Sequence, residues 1–343
     1  MNLARETFDY LYDVTRPLIF ELTEKDPGTA HDWFVGFSQF LHFTGLEKFV
    51  LDNKSNQRNS GFKISNAAGL NKNGNIPPTF LKHLGFDRVV VGTVTGDSYE
   101  GNPRPNIERY PETESLVNWL GLPGIGAEKV AQQLNIYGNY GVPLTINLMS
   151  TPGKEGDAIL RDLEKTILAL RDVYDVDRWE LNISCPNTHT KNGEIDARKE
   201  YKKQLGDMIG MVSFCSHDDQ DLYLKVSPDL TESDIESIIS VSSKFIDGFT
   251  ATNTTTHHNK KYIPKSPGKG GGSGDAVYED ALRVQRLFHE KIKGTNLKLI
   301  AVGGISSVER LKERMSLGAE EVQIFTPLIF SGPRLLREFR NYK

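Results

Sequence analysis

The chain has 343 residues, of which 38% are hydrophobic and 25% are charged, and its formal net charge at pH 7 is −4. This composition is typical of a globular protein with a core large enough to enclose a cofactor, and it argues against disorder. The lack of an excess of basic residues argues against a nucleic-acid partner. The two cysteines, Cys185 and Cys215, are far apart in the sequence and indicate neither a disulfide framework nor a metal site. This cysteine content fits a reducing compartment.

Residues 1–55 differ in character from the main domain, residues 56–343, and predict a small N-terminal helical extension. Charged residues interrupt the first 20 positions and no run of about 18 apolar residues occurs, so we expect neither a signal peptide nor a membrane-spanning helix. Six large apolar side chains crowd one helical stretch: Trp33, Phe34, Phe37, Phe40, Leu41 and Phe43. Either part of this stretch forms an exposed groove or membrane-facing surface, or the helices dock as an ordinary pair, which helical spacing alone slightly favours.

From Lys63 onward, short β-branched runs alternate with longer amphipathic stretches, a pattern typical of parallel strands joined by crossover helices. The eight candidate strands are Lys63–Asn66, Arg88–Gly92, Leu144–Leu148, Trp179–Ile183, Leu222–Val226, Gly248–Asn253, Leu297–Val302 and Val322–Phe325. Eight such units predict an α/β fold of the (β/α)8 TIM-barrel type. The segment Lys260–Gly274 is rich in Lys, Pro and Gly and predicts a long loop over one barrel face.

Functional residues of such barrels lie at the C-terminal ends of the strands. Lys72 follows the first strand and is either a cation for a substrate carboxylate or a solvated turn lysine. Five asparagines recur at strand ends or in the loops over them: Asn118, Asn147, Asn182, Asn187 and Asn253. Any one of them is most simply a turn or capping residue. Together they predict a ring of amides that reads the alternating N–H and C=O edge of a pyrimidine or an isoalloxazine.

A phosphate site is predicted at the last two strands. Gly303 and Gly304 follow the seventh strand and Thr326 follows the eighth, where TIM barrels commonly bind an anion with backbone N–H groups. The Gly-rich segment from Gly270 to Gly274 either adds a second wall to this site or is only a flexible loop tip.

Six short segments occur in order along the chain: AAGLNKNG at Ala67–Gly74, GTVT at Gly92–Thr95, GNPRP at Gly101–Pro105, NISCPNT at Asn182–Thr188, TNTT at Thr252–Thr255 and VGGI at Val302–Ile305. In this order they resemble one family over nearly the whole chain, the dihydroorotate dehydrogenases, and within it the class 2 branch, which is membrane-associated and reduces quinones. Each segment alone is weak evidence, but the set is specific.

The resemblance implies an FMN cofactor held by Ala67, Ala68, Thr93, Asn147, Asn182, Lys225, Thr252, Gly274, Gly303, Gly304 and Thr326. It also implies that Lys225 lies near the N1 and C2 carbonyl edge of the flavin, where a cation stabilises the reduced anion. The substrate, dihydroorotate, and the product, orotate, would be bound by Lys72, Asn118, Trp119, Leu120, Gly121, Leu122, Asn182, Asn187, Asn253 and Thr254.

The implied catalytic base is the residue before the proline of the fourth-strand loop, Cys185 here. It would remove a proton from C5 of dihydroorotate while a hydride leaves C6 for flavin N5. Class 2 enzymes carry serine at this position and the soluble class 1 enzymes carry cysteine; the segment Asn118–Pro123 also leans towards class 1. Because an unperturbed thiol has a pKa of about 8.5, the activity is expected to rise with pH through the thiol pKa.

The N-terminal extension and its segment Asp26–His31 resemble the class 2 entry to the quinone tunnel, in which His31 and Arg109 would be lining residues. Phe325 stands where some relatives have a tyrosine that binds the quinone. The implied protein oxidises dihydroorotate in pyrimidine biosynthesis and passes electrons to a quinone, as a monomer bound peripherally at the cytoplasmic side of the cell membrane. Two alternatives stay open: a soluble acceptor such as fumarate or NAD, and a non-catalytic flavin-binding barrel.

Overall fold

The computed structural model describes residues 3–51, 61–184 and 195–342, and within them eight parallel strands form a barrel. The barrel strands are β1 (Lys63–Asn66), β2 (Val89–Val94), β5 (Leu144–Leu148), β6 (Val176–Asn182), β7 (Asp221–Val226), β8 (Gly248–Ala251), β10 (Lys298–Val302) and β11 (Ala319–Ile324). All eight predicted strands are therefore confirmed: β1 and β5 have the predicted bounds, and the other six differ by one to three residues at one or both ends.

The strands are hydrogen-bonded in the order β1-β11-β10-β8-β7-β6-β5-β2. Parallel bridges from Ser65 to Arg88 and from Asn71 to Val91 close the ring between β1 and β2. The crossover and outer helices are α4 (Pro78–Leu84), α5 (Ala127–Tyr137), α6 (Asp157–Leu170), α7 (Ile195–Cys215), α8 (Glu232–Ser242), α9 (Tyr278–Ile292), α10 (Val308–Ser316), α11 (Thr326–Ser331) and α12 (Arg334–Asn341). This is the predicted TIM barrel.

Burial on both faces explains why the barrel strands are readable in the sequence. Every residue of β5 and β8 is buried, and β2 has one half-buried position, Thr93. Strands enclosed on both faces favour continuous β-branched and apolar runs over alternating ones. Polar residues inside such apolar runs are therefore exceptions that indicate where a functional site lies.

A three-stranded antiparallel sheet covers part of the C-terminal mouth of the barrel. It consists of β3 (Ile107–Tyr110), β4 (Ser115–Asn118) and β9 (Gly271–Gly274), with β4 in the centre. The prediction of a long loop over Lys260–Gly274 is thus wrong for its last four residues. These residues pair with β4 and form part of the sheet over the barrel mouth, so they are not a flexible loop tip.

The N-terminal extension contains α1 (Leu3–Leu22), α2 (Gly28–Phe43) and α3 (Glu47–Leu51). The hydroxyl of Tyr12 donates to the carbonyl of Ile329 over 2.7 Å, which ties α1 to α11, and the side chain of Gln39 donates to the carbonyl of Asn75. Among the described helices, none combines the length and the apolar character that a bilayer span requires.

The helices dock on the barrel but leave a broad apolar face in solvent. Leu41 is buried, whereas Phe40 is 58% exposed and Phe43 is 66% exposed. The slight preference for an ordinary docked pair was therefore wrong for this face. We call it the N-terminal apolar face; its exposed members are Tyr10, Leu11, Val14, Leu18, Leu22, Trp33, Phe37, Phe40, Phe43, Leu46 and Phe49.

Candidate active site

The C-terminal ends of neighbouring barrel strands bring most of the predicted cofactor residues together. Thr93 of β2 donates through its hydroxyl to Oδ1 of Asn147 on β5, over 2.6 Å. Lys225 lies at the end of β7, and the carbonyl of Lys225 accepts the N–H of Ile183 after β6. Asn147, Lys225 and Thr252 are buried. Thr93, Asn147 and Lys225 belong to one polar cluster inside the mouth of the barrel, and Thr252 is buried at the end of the neighbouring strand β8.

A fully buried carboxylate, Glu180 of β6, connects this cluster. Its oxygens accept hydrogen bonds from the side chains of Asn147 (2.7 Å), Thr250 (2.6 Å) and Gln323 (2.9 Å). The ammonium of Lys225 lies 3.8 Å from Oε1 of Glu180. We did not predict Glu180, although an acidic residue within a strand predicted to be buried is an available signal, because buried charges are rare unless paired.

Burial and charge compete at Lys225. Loss of solvent lowers the pKa of its ammonium, and the carboxylate of Glu180 partly opposes this effect. A buried cation beside a buried anion leaves the remaining N–H groups of the ammonium available to a ligand. The position suits an electron-rich ring edge at the barrel mouth.

Lys72, in the turn after β1, is a second cation at the same mouth. It lines a cleft of about 360 Å³ together with Asn73, Tyr99 and Pro123. Burial lowers the pKa of the Lys72 ammonium to about 8. Within the described part of the chain no carboxylate forms an ion pair with Lys72, so its charge is available to an anionic ligand.

The loops after β6 and β8 meet through their amide side chains. Nδ2 of Asn253 lies 3.3 Å from Oδ1 of Asn182, which also accepts the N–H of Ser184. The N–H of Thr254 donates to Oδ1 of Asn253. The carboxylate of Asp229 holds the following turn by accepting bonds from Thr255 and Thr256. Asn182, Asn253 and Thr254 are thus brought together as predicted.

The small antiparallel sheet places Asn118 beside this group. Nδ2 of Asn118 donates to the carbonyl of Gly271 across the β4–β9 pair, over 3.4 Å. A Cβ atom on Gly271 would lie 2.1 Å from Oγ1 of Thr254, so glycine permits the close packing of β9 on the loop after β8. Trp119, Leu120, Gly121 and Leu122 continue from β4, and Leu122 has a φ of +59°.

The predicted phosphate residues also converge. Gly303 and Gly304 have φ values of +106° and +65°, and a Cβ atom on Gly304 would lie 2.8 Å from the carbonyl oxygen of Gly274. The hydroxyl of Thr326 donates to Oγ of Ser273 on β9. No acceptor among the described residues takes the N–H of Gly303 or Gly304. Two unpaired N–H groups in a glycine turn are suited to an anion.

The turn after β1 is held against its neighbours by backbone hydrogen bonds. The N–H of Ala67 donates to the carbonyl of Ile324, and the N–H of Gly69 donates to the carbonyl of Gly92. Ala67 is buried and Ala68 is half-buried. A Cβ atom on Gly69 would approach the ring of Phe325 to 3.1 Å. The turn is thus narrow and lined by small residues, as predicted for a backbone segment against which a flat ring can lie.

His31 and Arg109, the predicted quinone residues, connect the extension to the barrel. Nε2 of His31 lies 2.8 Å from the carbonyl oxygen of Leu70. The guanidinium of Arg109 donates to the carbonyls of Phe20 and Thr23 at the end of α1 and lies 4.4 Å from the centre of the Phe20 ring. Burial lowers the pKa of Arg109. Both residues therefore lie at the junction between the N-terminal extension and the barrel.

Two predicted residues, Cys185 and Asn187, lie outside the described residues, so the catalytic base stays a prediction. The described chain before them is anchored, because the hydroxyl of Ser184 donates to the carbonyl of Lys225 over 3.1 Å. Ser184, the last described residue before Cys185, therefore lies at the same mouth as the polar cluster.

Together these features define a class: an α/β-barrel enzyme with a glycine turn after β10 and a polar cluster at its C-terminal mouth. The model of the family described as dihydroorotate dehydrogenase matches residues 56–341. The protein named dihydroorotate dehydrogenase (quinone) from Acinetobacter baumannii strain SDF is 32% identical over 345 residues, covering 96% of this chain and 98% of that protein. The chain belongs to the dihydroorotate dehydrogenase family.

Further relatives agree with this assignment. A protein of the same name from Bordetella parapertussis is 33% identical over 344 residues, which cover 96% of each chain. Among solved structures, Eimeria tenella DHODH in complex with ferulenol has a TM-score of 0.78 at 21% identity, over 92% of this chain and 90% of that one. At this identity the likeness concerns the fold. The predicted family, its quinone-reducing branch and the TIM barrel are confirmed.

Proposed function

We propose that this protein oxidises (S)-dihydroorotate to orotate in pyrimidine biosynthesis, with FMN as cofactor and a membrane quinone as electron acceptor. The observation that carries the proposal is the convergence of two lysines and an amide cluster at one barrel mouth. Lys72 supplies a cation for the substrate carboxylate, and Asn118, Asn253 and Thr254 supply paired donors and acceptors for the pyrimidine edge.

The described residues fit FMN. The unpaired N–H groups of Gly303 and Gly304 suit its phosphate, and Lys225 supplies a buried cation that Glu180 keeps in place. The narrow turn at Ala67 and Ala68 suits one face of a flat ring. When bound, FMN supplies the hydride acceptor that no protein side chain provides.

Within the substrate pocket we assign the base to Cys185, which removes the C5 proton as the thiolate. Asn182 and Asn187 complete the amide set, with Trp119, Leu120, Gly121 and Leu122 forming the covering segment. The support is positional, because Ser184 is anchored to the end of β7 directly before Cys185. A thiol base makes the flavin reduction step faster at higher pH, up to a plateau above the thiol pKa.

We assign the acceptor side to the N-terminal extension, with residues 1–55 as a unit apart from the barrel, residues 56–343. The N-terminal apolar face contains eleven exposed large apolar side chains, a number typical of a membrane or ligand contact. His31 and Arg109 lie where this layer meets the barrel. This arrangement supports peripheral attachment to a membrane and a route for quinone to the barrel mouth; we assign the attachment to the cytoplasmic side.

The test is a comparison of acceptors on the purified protein. With dihydroorotate as donor, we expect orotate formation with ubiquinone or menaquinone analogues and little with fumarate or NAD. A preference for fumarate or NAD would overturn the quinone assignment while keeping the oxidation of dihydroorotate. No orotate with any acceptor, in a protein that binds FMN, would overturn the activity itself.

A further inference from the structure

One fully buried arginine, Arg314 of α10, lies directly behind the glycine turn that follows β10. Nη2 of Arg314 donates to the carbonyls of Val302 (2.9 Å) and Ala251 (2.8 Å), and Nη1 donates to the carbonyl of Gly303 (3.0 Å). Nε donates to the side-chain oxygen of Gln285. All of these acceptors are uncharged.

The hydrogen bonds to Val302 and Gly303 fix two particular peptide units. The peptide that carries the carbonyl of Val302 also carries the N–H of Gly303, and the carbonyl of Gly303 shares its peptide with the N–H of Gly304. In a trans peptide the C=O and N–H groups point in opposite directions. Arg314 therefore turns both unpaired N–H groups away from itself, towards the predicted anion site.

Arg314 also brings a buried positive charge, with which the carboxylate of Glu313 interacts electrostatically. Among the described residues no carboxylate forms an ion pair with it, although burial of a bare cation is costly. Burial lowers the pKa of Arg314 to about 10, so the guanidinium is still charged at neutral pH. Arg310, one turn earlier on the same helix, donates to the carbonyl of Gly304, but its charge is paired with Asp275.

We propose that Arg314 is a positioning residue for a phosphate monoester: it orients and polarises the peptides of Gly303 and Gly304 and adds a positive charge behind them. A hydrogen bond from a cation to a carbonyl polarises the peptide and makes its N–H a stronger donor. Arg314 touches the phosphate only through these two peptides.

The consequence is selectivity for the phosphorylated flavin. The inference rests on the proposed use of FMN, and it adds that the preference for FMN over riboflavin depends on a side chain outside the pocket. Riboflavin has the same ring system and ribityl chain and lacks only the phosphate. It is therefore the matched ligand for separating an effect on the phosphate from an effect on the rest of the site.

The experiment measures dissociation constants of FMN and riboflavin by quenching of flavin fluorescence on the apoprotein of the full chain. For Arg314→Gln we expect FMN to bind about 10- to 100-fold more weakly than to wild type, the range for losing a charged hydrogen-bond donor. Riboflavin binding should change by less than about threefold. Equal losses for both flavins, or no loss, would overturn the proposal.

Arg178→Gln is the matched control, because Arg178 is also buried but lies at the N-terminal end of β6 and pairs with Glu321 over 2.8 Å. Arg178→Gln should change the dissociation constants of FMN and riboflavin by the same factor. A selective loss of FMN binding in this control would also overturn the proposal, since it would show that any buried arginine has the effect.

If Arg314→Gln does not fold, Arg314→Lys provides a second arm. A lysine without a carboxylate partner in this site is expected to lose its proton at a far lower pH than arginine. The titratable groups that interact with the charge of Arg314 are Tyr278 and Glu313, and the hydroxyl of Tyr278 donates to the carboxylate of Glu313. The FMN to riboflavin affinity ratio should therefore fall between pH 7 and pH 9 in Arg314→Lys and stay constant in wild type. A constant ratio in the variant, at the wild-type value, would refute the role of the charge.

Failure of the proposed function gives a different result. If wild type bound FMN and riboflavin equally well, the phosphate site itself would be absent and both proposals would fall. If wild type prefers FMN and Arg314→Gln keeps that preference, FMN remains the cofactor and only the role of Arg314 is refuted.

Discussion

The ammonium of Lys225 and the carboxylate of Glu180 lie 3.8 Å apart inside the closed barrel, where neither side chain is more than 4% exposed. Each charge makes the burial of the other tolerable, because an unpaired ion in such surroundings costs several kcal/mol. The same carboxylate accepts a hydrogen bond from Asn147. The pair therefore connects the stability of the barrel mouth with the position of two predicted flavin contacts.

A double-mutant cycle tests this pairing. Glu180→Gln and Lys225→Met should each lower the free energy of unfolding by about 3 kcal/mol, because each leaves a buried charge without its partner. The double variant should lose less than the sum, by about 1–3 kcal/mol. Chemical denaturation of the apoprotein measures all four species.

An exposed ion pair provides the control for this cycle. Nζ of Lys291 lies 2.8 Å from Oε1 of Glu232, which is 63% exposed. Its coupling energy should be below about 1 kcal/mol. Additive losses at Glu180 and Lys225 would show that the two charges do not stabilise each other.

Lys72 gives a pH dependence with a defined sign. Its pKa is lowered to about 8 in the protein without ligand, and the proposed carboxylate ligand binds only the charged form. Orotate affinity should therefore be constant below pH 7 and fall by about tenfold per pH unit well above pH 8. Isothermal titration between pH 6.5 and 9.5 measures it. Lys72→Met should bind orotate weakly and without this dependence; an unchanged profile in the variant would exclude Lys72 as the source.

Gly304→Ala should weaken FMN binding by more than about tenfold. The new Cβ atom would lie 2.8 Å from the carbonyl oxygen of Gly274 and from Cβ of Tyr278, so both neighbours of the proposed phosphate site must move. Gly268→Ala is the matched control, because Gly268 has nearly the same φ, +69°, but nothing within 4 Å of the added atom. It should cost about 1 kcal/mol of stability and leave flavin content unchanged. Equal flavin loss in both variants would point to backbone strain alone.

The N-terminal apolar face should mediate binding to lipid. Replacing Phe40 and Phe43 with glutamate removes two exposed rings from this face and should weaken co-sedimentation with phosphatidylcholine vesicles by about tenfold or more. Phe214→Glu is the control, since Phe214 is 87% exposed but lies on α7 of the barrel. An equal loss of vesicle binding in Phe214→Glu would show that any exposed aromatic ring contributes to lipid binding.

Much of the barrel was predictable because its strands are enclosed on both faces, which gives runs such as that of β5 (Leu144–Leu148) a clear signal. The small sheet was not, since β9 (Gly271–Gly274) contains three glycines and one serine, and its pairing with β4 joins residues more than 150 positions apart. Local sequence carries no signal for such a strand.

The candidate site likewise contains residues that the sequence predicted and residues that it did not. Motif positions such as Lys72, Asn253 and Gly303 were predicted, because their residue types and strand-end locations carry the signal. Glu180 and Arg314 were not, since a charge on a strand or helix is normally placed on the surface. Only the packing shows that both are fully buried and that each holds a predicted ligand contact in place. The exposure of Phe40 and Phe43 likewise depends on where α2 docks.

The most direct test of the central claim is anaerobic stopped-flow absorbance in two mixing steps, with Cys185→Ala beside wild type. Mixing wild type with dihydroorotate should bleach the flavin, at a rate that rises with pH through a thiol pKa, and a quinone analogue added second should restore the flavin colour. Cys185→Ala should bind FMN and reoxidise normally but bleach at least about 100-fold more slowly. Wild-type flavin that stays oxidised in the presence of dihydroorotate would contradict the proposed activity, and undiminished bleaching in Cys185→Ala would contradict the proposed base.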